Sequence, residues 1–251
     1  MAARTTIGFL YPGSAAEQDY PLIEGLLGPE VALPVVHTSV GEDAHRVDAL
    51  LDLGRADRLA EGAERLRRLA VDAAVWACTS GSFVFGWDGA REQVEALARA
   101  LGAPASSTSF AFVHAARALG AARVAVAATY PEEVTGHFVE FLRQGGIQVL
   151  RRSSRGVVTA AEAATLGGQE VLELAVAADH PDADAVLVPD TALRTAARLG
   201  EREERLAKPV LTANQVSVWE GLRLVGRIEP HPRLGRLFRD GSRWAGGHGG
   251  G

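Results

Sequence analysis

The chain has 251 residues, 47% of them hydrophobic and 23% charged, and its formal net charge is −5. This length and usage are typical of a globular protein and exclude a disordered, collagen-like or coiled-coil chain. The acidic balance disfavours nucleic acid as a partner, because a phosphate backbone is bound by basic surfaces. Apolar runs are far shorter than the ~18 residues of a membrane span, and the first residues lack the pattern of a signal peptide. We therefore expect a cytoplasmic protein without a membrane partner.

Short apolar runs alternate along the chain with amphipathic segments of helical length. This alternation predicts an α/β protein built on parallel sheets. We predict strands at residues 7–11, 33–38, 73–77, 124–129, 148–151, 185–188 and 210–212. We predict helices at residues 55–69, 88–101, 110–119, 132–144, 160–178 and 215–224.

The second half of the chain repeats the first. An apolar strand that runs into Tyr-Pro occurs at residues 7–12 and again at 126–131. Residues 71–79 are echoed by 183–191, and residues 104–119 match 209–224 without a gap. The duplication predicts two similar halves. We divide them into a first lobe of residues 1–105 plus 212–240, a second lobe of 106–211, and a flexible glycine-rich tail of 241–251.

In a duplicated α/β fold the ligand lies beyond the carboxyl ends of the strands, where loops of both halves converge. The loops that begin at residues 12, 78, 130 and 190 are therefore the candidates. Pseudo-symmetry places Cys78 opposite Asp190.

The run Cys78-Thr79-Ser80-Gly81-Ser82 is the strongest local signal of chemistry. A thiol near a helix N-terminus is expected to favour its thiolate form. The hydroxyl and backbone N–H groups around it suit a carboxylate or a developing enediolate. A small cysteine buried in the core is the alternative interpretation.

Other polar groups are weaker candidates. His37, His45, His114 and His137 have no partner at ligand spacing, so we expect structural or surface roles for them. Residues 179–182 are interpreted as the polar end of a helix and its turn rather than a metal cluster. The sequence contains no nucleotide-binding glycine motif, and we predict neither a metal nor a cofactor.

Three segments resemble the aspartate/glutamate racemase superfamily. They are Cys78–Phe83, Ala128–Tyr130 followed by Glu133-Val134, and Trp219–Leu224. The branch that they resemble most is that of maleate cis-trans isomerases and arylmalonate decarboxylases. The resemblance implies two pseudo-symmetric Rossmann-like lobes with parallel sheets, an active site in the cleft between them, a small carboxylate substrate and no cofactor. It leaves open whether the protein is a homo-oligomer.

Carried onto this sequence, the resemblance makes Cys78 the catalytic cysteine of the first lobe. Asp190 stands where the family has its second cysteine, which excludes a symmetric two-thiol racemase and makes Asp190 the second catalytic candidate. A helix N-cap for residues 191–199 is the alternative role of Asp190. Ala15 replaces an expected asparagine, for which Asn214 or Arg194 could substitute. The candidate substrate-binding residues are Pro12, Gly13, Ser14, Thr79, Ser80, Tyr130, Thr191 and Asn214.

Four functional hypotheses follow from this pattern. The first is a maleate isomerase-like reaction, in which the Cys78 thiolate adds to a double bond and leaves after rotation. The second is an arylmalonate-type decarboxylase, in which Cys78 protonates an enediolate. The third is an amino-acid racemase that uses Cys78 and Asp190, and the fourth is a carboxylate-binding protein without catalysis.

Overall fold

The computed structural model describes residues 4–241 and contains two parallel β-sheets with helices packed against them. The first sheet has the order β2-β1-β4-β5, and β3 also pairs with β1. Its strands are β1 (Thr5–Pro12), β2 (Val31–Ala32), β3 (Val35–Thr38), β4 (Ala73–Trp76) and β5 (Ala105–Ser107). The second sheet has the order β7-β6-β8-β9. Its strands are β6 (Arg123–Ala128), β7 (Gln148–Ser154), β8 (Ala185–Val188) and β9 (Val210–Thr212).

The helices fall between the strands. In chain order they are α1 (Asp19–Leu27), α2 (Val47–Leu53), α3 (Ala56–Arg67), α4 (Ser80–Phe83), α5 (Gly86–Leu101), α6 (Thr108–Ala118), α7 (Glu132–Gln144), α8 (Ala160–Ala163), α9 (Gly168–Ala178), α10 (Leu199–Leu206), α11 (Ala213–Leu224) and α12 (Gly235–Asp240). In the described part of the chain, no helix is long and apolar enough to cross a membrane.

The two sheets share one strand order: β1 lies between β2 and β4 in the first sheet, as β6 lies between β7 and β8 in the second. The predicted α/β class and the duplication are therefore confirmed. All residues of β4 and β8 are buried, as expected for parallel strands that are covered on both faces. The strand predicted at 33–38 is formed only from Val35 as β3, and the short β2 at Val31–Ala32 was not predicted; Pro34, which lacks a backbone N–H, stands between the two.

Helix α11 belongs to the second half of the chain but packs on the first sheet. It contacts β4, β5 and β1, and it lies along α6. Residues 213–222 of this helix are all buried. The hydroxyls of Thr108 in α6 and Ser217 in α11 are 2.6 Å apart, which ties the two helices together. This crossing accords with the assignment of residues 212–240 to the first lobe, although the exact lobe boundaries stay a prediction.

Several predicted elements differ from the structure. The helix predicted at 160–178 is divided into α8 and α9, and α9 starts anew after Gly167, whose N–H donates to Glu170 at 2.9 Å. The helix expected at 191–199 is not formed as such: a turn follows Asp190, a short 3-10 helix occupies Ala196–Arg198, and α10 begins at Leu199. Strand β5 was not predicted, since Ala-Ser-Ser has a weak strand preference. Apart from Gly241, the predicted tail lies outside the described residues.

Candidate active site

A cavity of about 150 Å³ lies between the two halves, at the carboxyl ends of β1, β4 and β8. Loops of both halves converge there, as the duplication predicts. The predicted residues that line it are Pro12, Gly13, Ser14, Cys78, Ser80, Asp190 and Thr191. A larger groove of about 420 Å³ between α3 and α5 is lined by none of the predicted residues.

Cys78 lies two residues beyond β4 and is only 3% exposed. Its Sγ accepts the N–H of Gly81 at 3.3 Å and lies 3.8 Å from the Oγ of Ser80. A Cβ at position 81 would approach Sγ to 3.0 Å, so glycine allows the backbone to come this close. The start of α4 thus surrounds the sulfur with hydrogen-bond donors.

Burial raises the pKa of the Cys78 thiol to about 11. The Gly81 N–H and the Ser80 hydroxyl act in the opposite direction, and the negative charge of Asp190 raises the pKa further. The thiolate expected from the helix N-terminus is therefore wrong for this structure, because desolvation outweighs the short α4. At neutral pH the side chain is a thiol, which can give away a proton.

Asp190 follows β8 and is 4% exposed. Its Oδ1 accepts the N–H of Ala192 at 2.9 Å, and its Oδ2 accepts the hydroxyl of Thr129. The N-cap role of Asp190 is wrong, since its Oδ1 accepts the Ala192 N–H within a turn and the next helical residues, in a short 3-10 helix, begin only at Ala196.

Asn214 lies behind the cavity and does not line it. Its Nδ2 donates to Oδ2 of Asp19 at 3.1 Å and to the carbonyl of Thr191 at 3.2 Å. The hydroxyl of Tyr20 donates to its Oδ1 at 3.3 Å, and that of Tyr11 donates to the Thr191 carbonyl at 2.8 Å. These contacts hold the loop after β8 in place, and a contact of Asn214 with substrate stays a prediction.

Two further predicted binding residues, Thr79 and Tyr130, also lie outside the cavity lining. The Tyr130 hydroxyl donates to the Pro189 carbonyl at 3.0 Å, and burial together with the nearby Asp190 charge raises its pKa. The buried Oγ1 of Thr79 has no hydrogen-bond partner among the described residues. Arg194 likewise does not line the cavity, because its guanidinium donates to main-chain carbonyls.

A bridge between the two halves forms the rest of the wall, and sequence reasoning missed it. The carboxylate of Asp43 accepts the N–H groups of Ala160 at 2.8 Å and Ala161 at 3.1 Å. The backbone N–H of His45 donates to the Val158 carbonyl at 2.7 Å. The cavity is lined by Asp43, His45, Ala160 and Ala161, but not by Val158. The partners are more than a hundred positions apart, so spacing gives no signal of these contacts.

The cavity wall contains both apolar and acidic residues. Its apolar residues include Val40, Ala44, Leu50, Leu53 and Ala192. Its charged residues are Glu42, Asp43 and Asp190, and within the described chain neither Arg nor Lys lines it. In residues 4–241 no group of three or more His, Cys, Asp or Glu side chains is placed to hold a metal ion.

The duplicated parallel sheets and the cavity between them define a two-lobed α/β protein of the aspartate/glutamate racemase superfamily. Within it, the family model described as arylmalonate decarboxylase matches residues 54–238, and the chain belongs to that family. The arylmalonate decarboxylase of Bordetella bronchiseptica is 28% identical over 94% of this chain and 98% of its own.

Solved structures of similar proteins share the fold of this chain. A double mutant of arylmalonate decarboxylase in its liganded form matches with a TM-score of 0.81 and 26% identity, over 93% of this chain and 98% of that one. The fold is also that of a Nocardia farcinica maleate cis-trans isomerase mutant with a covalently bound succinylcysteine intermediate. That match has a TM-score of 0.86 and 21% identity, over 94% of this chain and 99% of that one.

Proposed function

We propose that this protein is a cofactor-independent decarboxylase of small malonates that carry a substituent on the α-carbon, with Cys78 as the proton donor. The observation that carries the proposal is a buried thiol in the wall of the cavity, and its burial raises its pKa and so favours the protonated form. Membership of the arylmalonate decarboxylase family supports it.

The reaction needs one carboxylate to be held and the other to be lost. The hydroxyls of Ser14 and Ser80 line the cavity and can donate to the first carboxylate. The apolar side of the wall disfavours a charge and suits carbon dioxide. The bond from the α-carbon to the second carboxylate breaks, and its electron pair forms an enediolate on the first.

Cys78 then gives its proton to the α-carbon, and the sulfur becomes a thiolate. The Gly81 N–H at 3.3 Å stabilises that thiolate until a proton from water restores the thiol. Overall, one malonate dianion and one proton are converted into one monocarboxylate and one molecule of carbon dioxide. A proton donor with a high pKa is suited to this step, because it stays protonated until the carbanionic intermediate forms.

A maleate isomerase-like reaction is the second candidate. The donors that Gly81 and Ser80 aim at the sulfur favour it, since they stabilise the thiolate that must add to the double bond. Against it stands the negative charge of Asp190, which raises the pKa of Cys78.

Proton NMR in heavy water separates these reactions. Phenylmalonate, methylmalonate, maleate, aspartate and glutamate are each incubated with the wild-type protein and with Cys78→Ala. We expect a monocarboxylate with deuterium on its α-carbon from a malonate, with a loss of at least about a hundredfold in the variant. Ser153→Ala, at a buried hydroxyl outside the cavity lining, is the matched control and should retain the rate.

Fumarate without carbon-bound deuterium would overturn the decarboxylase in favour of the isomerase. Deuterium at the α-carbon of aspartate or glutamate would instead indicate racemisation by Cys78 and Asp190. No reaction with any of the five compounds would favour a protein that binds carboxylates without catalysis.

A further inference from the structure

The acidic side of the cavity is unusual for a site that takes a malonate dianion. Three carboxylates line it, and two of them, Glu42 and Asp43, are exposed to solvent. Glu42 pairs with Arg46 at 2.9 Å on the exposed rim, and Asp43 accepts the two N–H groups of the bridge to α8. Asp190 is the one that is almost completely buried.

Asp190 has no cationic partner among the described residues. Its oxygens accept hydrogen bonds from Thr129 and Ala192, both of them neutral groups. The nearby cationic or ring nitrogen groups are bound elsewhere: the guanidinium of Arg194 donates to the Ala15 carbonyl at 3.1 Å, and Nδ1 of His45 lies 2.9 Å from the Val157 carbonyl. A buried carboxylate without a cation is costly unless something else supplies the positive charge.

We propose that the substrate supplies this charge, as an ammonium group on the carbon that carries the two carboxylates. This inference rests on the proposed decarboxylation and names its substrate class: α-aminomalonates rather than arylmalonates. The ammonium pairs with Asp190, and it reduces the net charge of the ligand from −2 to −1. Both effects lessen the repulsion that a dianion meets beside Asp190.

The chemistry stays balanced for such a substrate. The bond between the α-carbon and one carboxylate breaks, carbon dioxide leaves, and the electron pair forms the enediolate of the remaining carboxyl group. Cys78 gives its proton to the α-carbon and recovers one from water. Aminomalonate and one proton therefore yield glycine and carbon dioxide.

Aminomalonate and methylmalonate make a matched pair, because an ammonium and a methyl group have nearly the same size. Binding is measured by calorimetry on the Cys78→Ser protein, in which the proton donor is removed. We expect aminomalonate to bind about tenfold or more tightly than methylmalonate, as is typical of a desolvated charge pair. In the same background Asp190→Asn should reduce the preference to about onefold, while Glu140→Gln, the same kind of change at an exposed carboxylate outside the cavity lining, should leave it unaltered.

Equal binding of the two malonates, or a preference that survives Asp190→Asn, would overturn the inference. The ligand comparison needs no substitution at position 190, so it decides the matter even if that variant does not fold. Decarboxylation of phenylmalonate or methylmalonate, without tighter binding of aminomalonate, would overturn this inference but support the proposed decarboxylase function. A binding preference for aminomalonate that depends on Asp190, in a protein that decarboxylates none of the malonates, would support the ammonium site and overturn the proposed decarboxylation.

Discussion

The raised pKa of Cys78 can be tested by the pH dependence of its alkylation. The thiolate is the form that reacts with iodoacetamide, so the rate follows the thiolate fraction. With a pKa of about 11 against an ordinary value of 9.0, about one thiol in a thousand is ionised at pH 8, instead of about one in ten. The difference of about 2 pKa units corresponds to ~2.7 kcal/mol.

The assay is the rate of mass gain of the intact protein from pH 7 to 10.5. Cys78 is the only cysteine, so each alkylated molecule reports this site. The rate should rise about tenfold per pH unit and show no plateau below pH 10, since burial limits access equally at every pH. The same protein unfolded in urea is the control, and its curve should level off near the ordinary value.

Asp190→Asn gives the second arm of the same experiment. Removing the negative charge lowers the pKa of Cys78, so its alkylation at pH 8 should become faster. A plateau below pH 9 in the folded wild-type protein would refute the reasoning. It would show that the donors from Gly81 and Ser80 outweigh burial, and it would favour the isomerase.

Two further predictions concern the fold that supports the site. Glu220 is fully buried, and although burial alone would raise its pKa, contacts with His114 at 2.9 Å and Arg223 at 2.7 Å lower it. Its contribution to stability is therefore present above the unfolded pKa of about 4.5 and is lost as the pH falls below it. Glu220→Gln should cost ~3 kcal/mol in urea unfolding at pH 7 and less at pH 3, where part of the contribution is already lost, and an equal loss at both values would contradict this account. At Gly221 a Cβ would lie 2.2 Å from Cγ2 of Ile7, so Gly221→Ala should lower the free energy of unfolding by ~2 kcal/mol. Adding Ile7→Ala makes room for that Cβ, and thermal unfolding of the double variant should show less than the summed loss.

Local patterns were enough to predict much of the fold. Strand β8 and helix α7 have the predicted bounds, because a buried apolar run and an amphipathic period are properties of a few neighbouring residues. The duplication was readable for the same reason, since each half carries its own Tyr-Pro and polar loop. It brought Cys78 and Asp190 to one cavity without any knowledge of the packing.

The parts that could not be predicted depend on contacts between distant residues. The bridge from Asp43 to α8 joins positions 117 apart, and the amide of Asn214 is held by a carboxylate 195 positions away. The state of the Cys78 thiol was mispredicted for a related reason. A helix N-terminus is visible in sequence, whereas desolvation by the whole fold is not.

The packing of α11 on the first sheet has a consequence for the order in which the protein is made. The strands β1, β4 and β5 are complete by residue 107, but the helix that covers them ends only at residue 224. During synthesis the second sheet can close while the first still exposes an apolar face. The lobe that is translated first is therefore the lobe that is finished last, and a stop codon between β5 and α11 damages the first lobe as well as the second lobe that it interrupts.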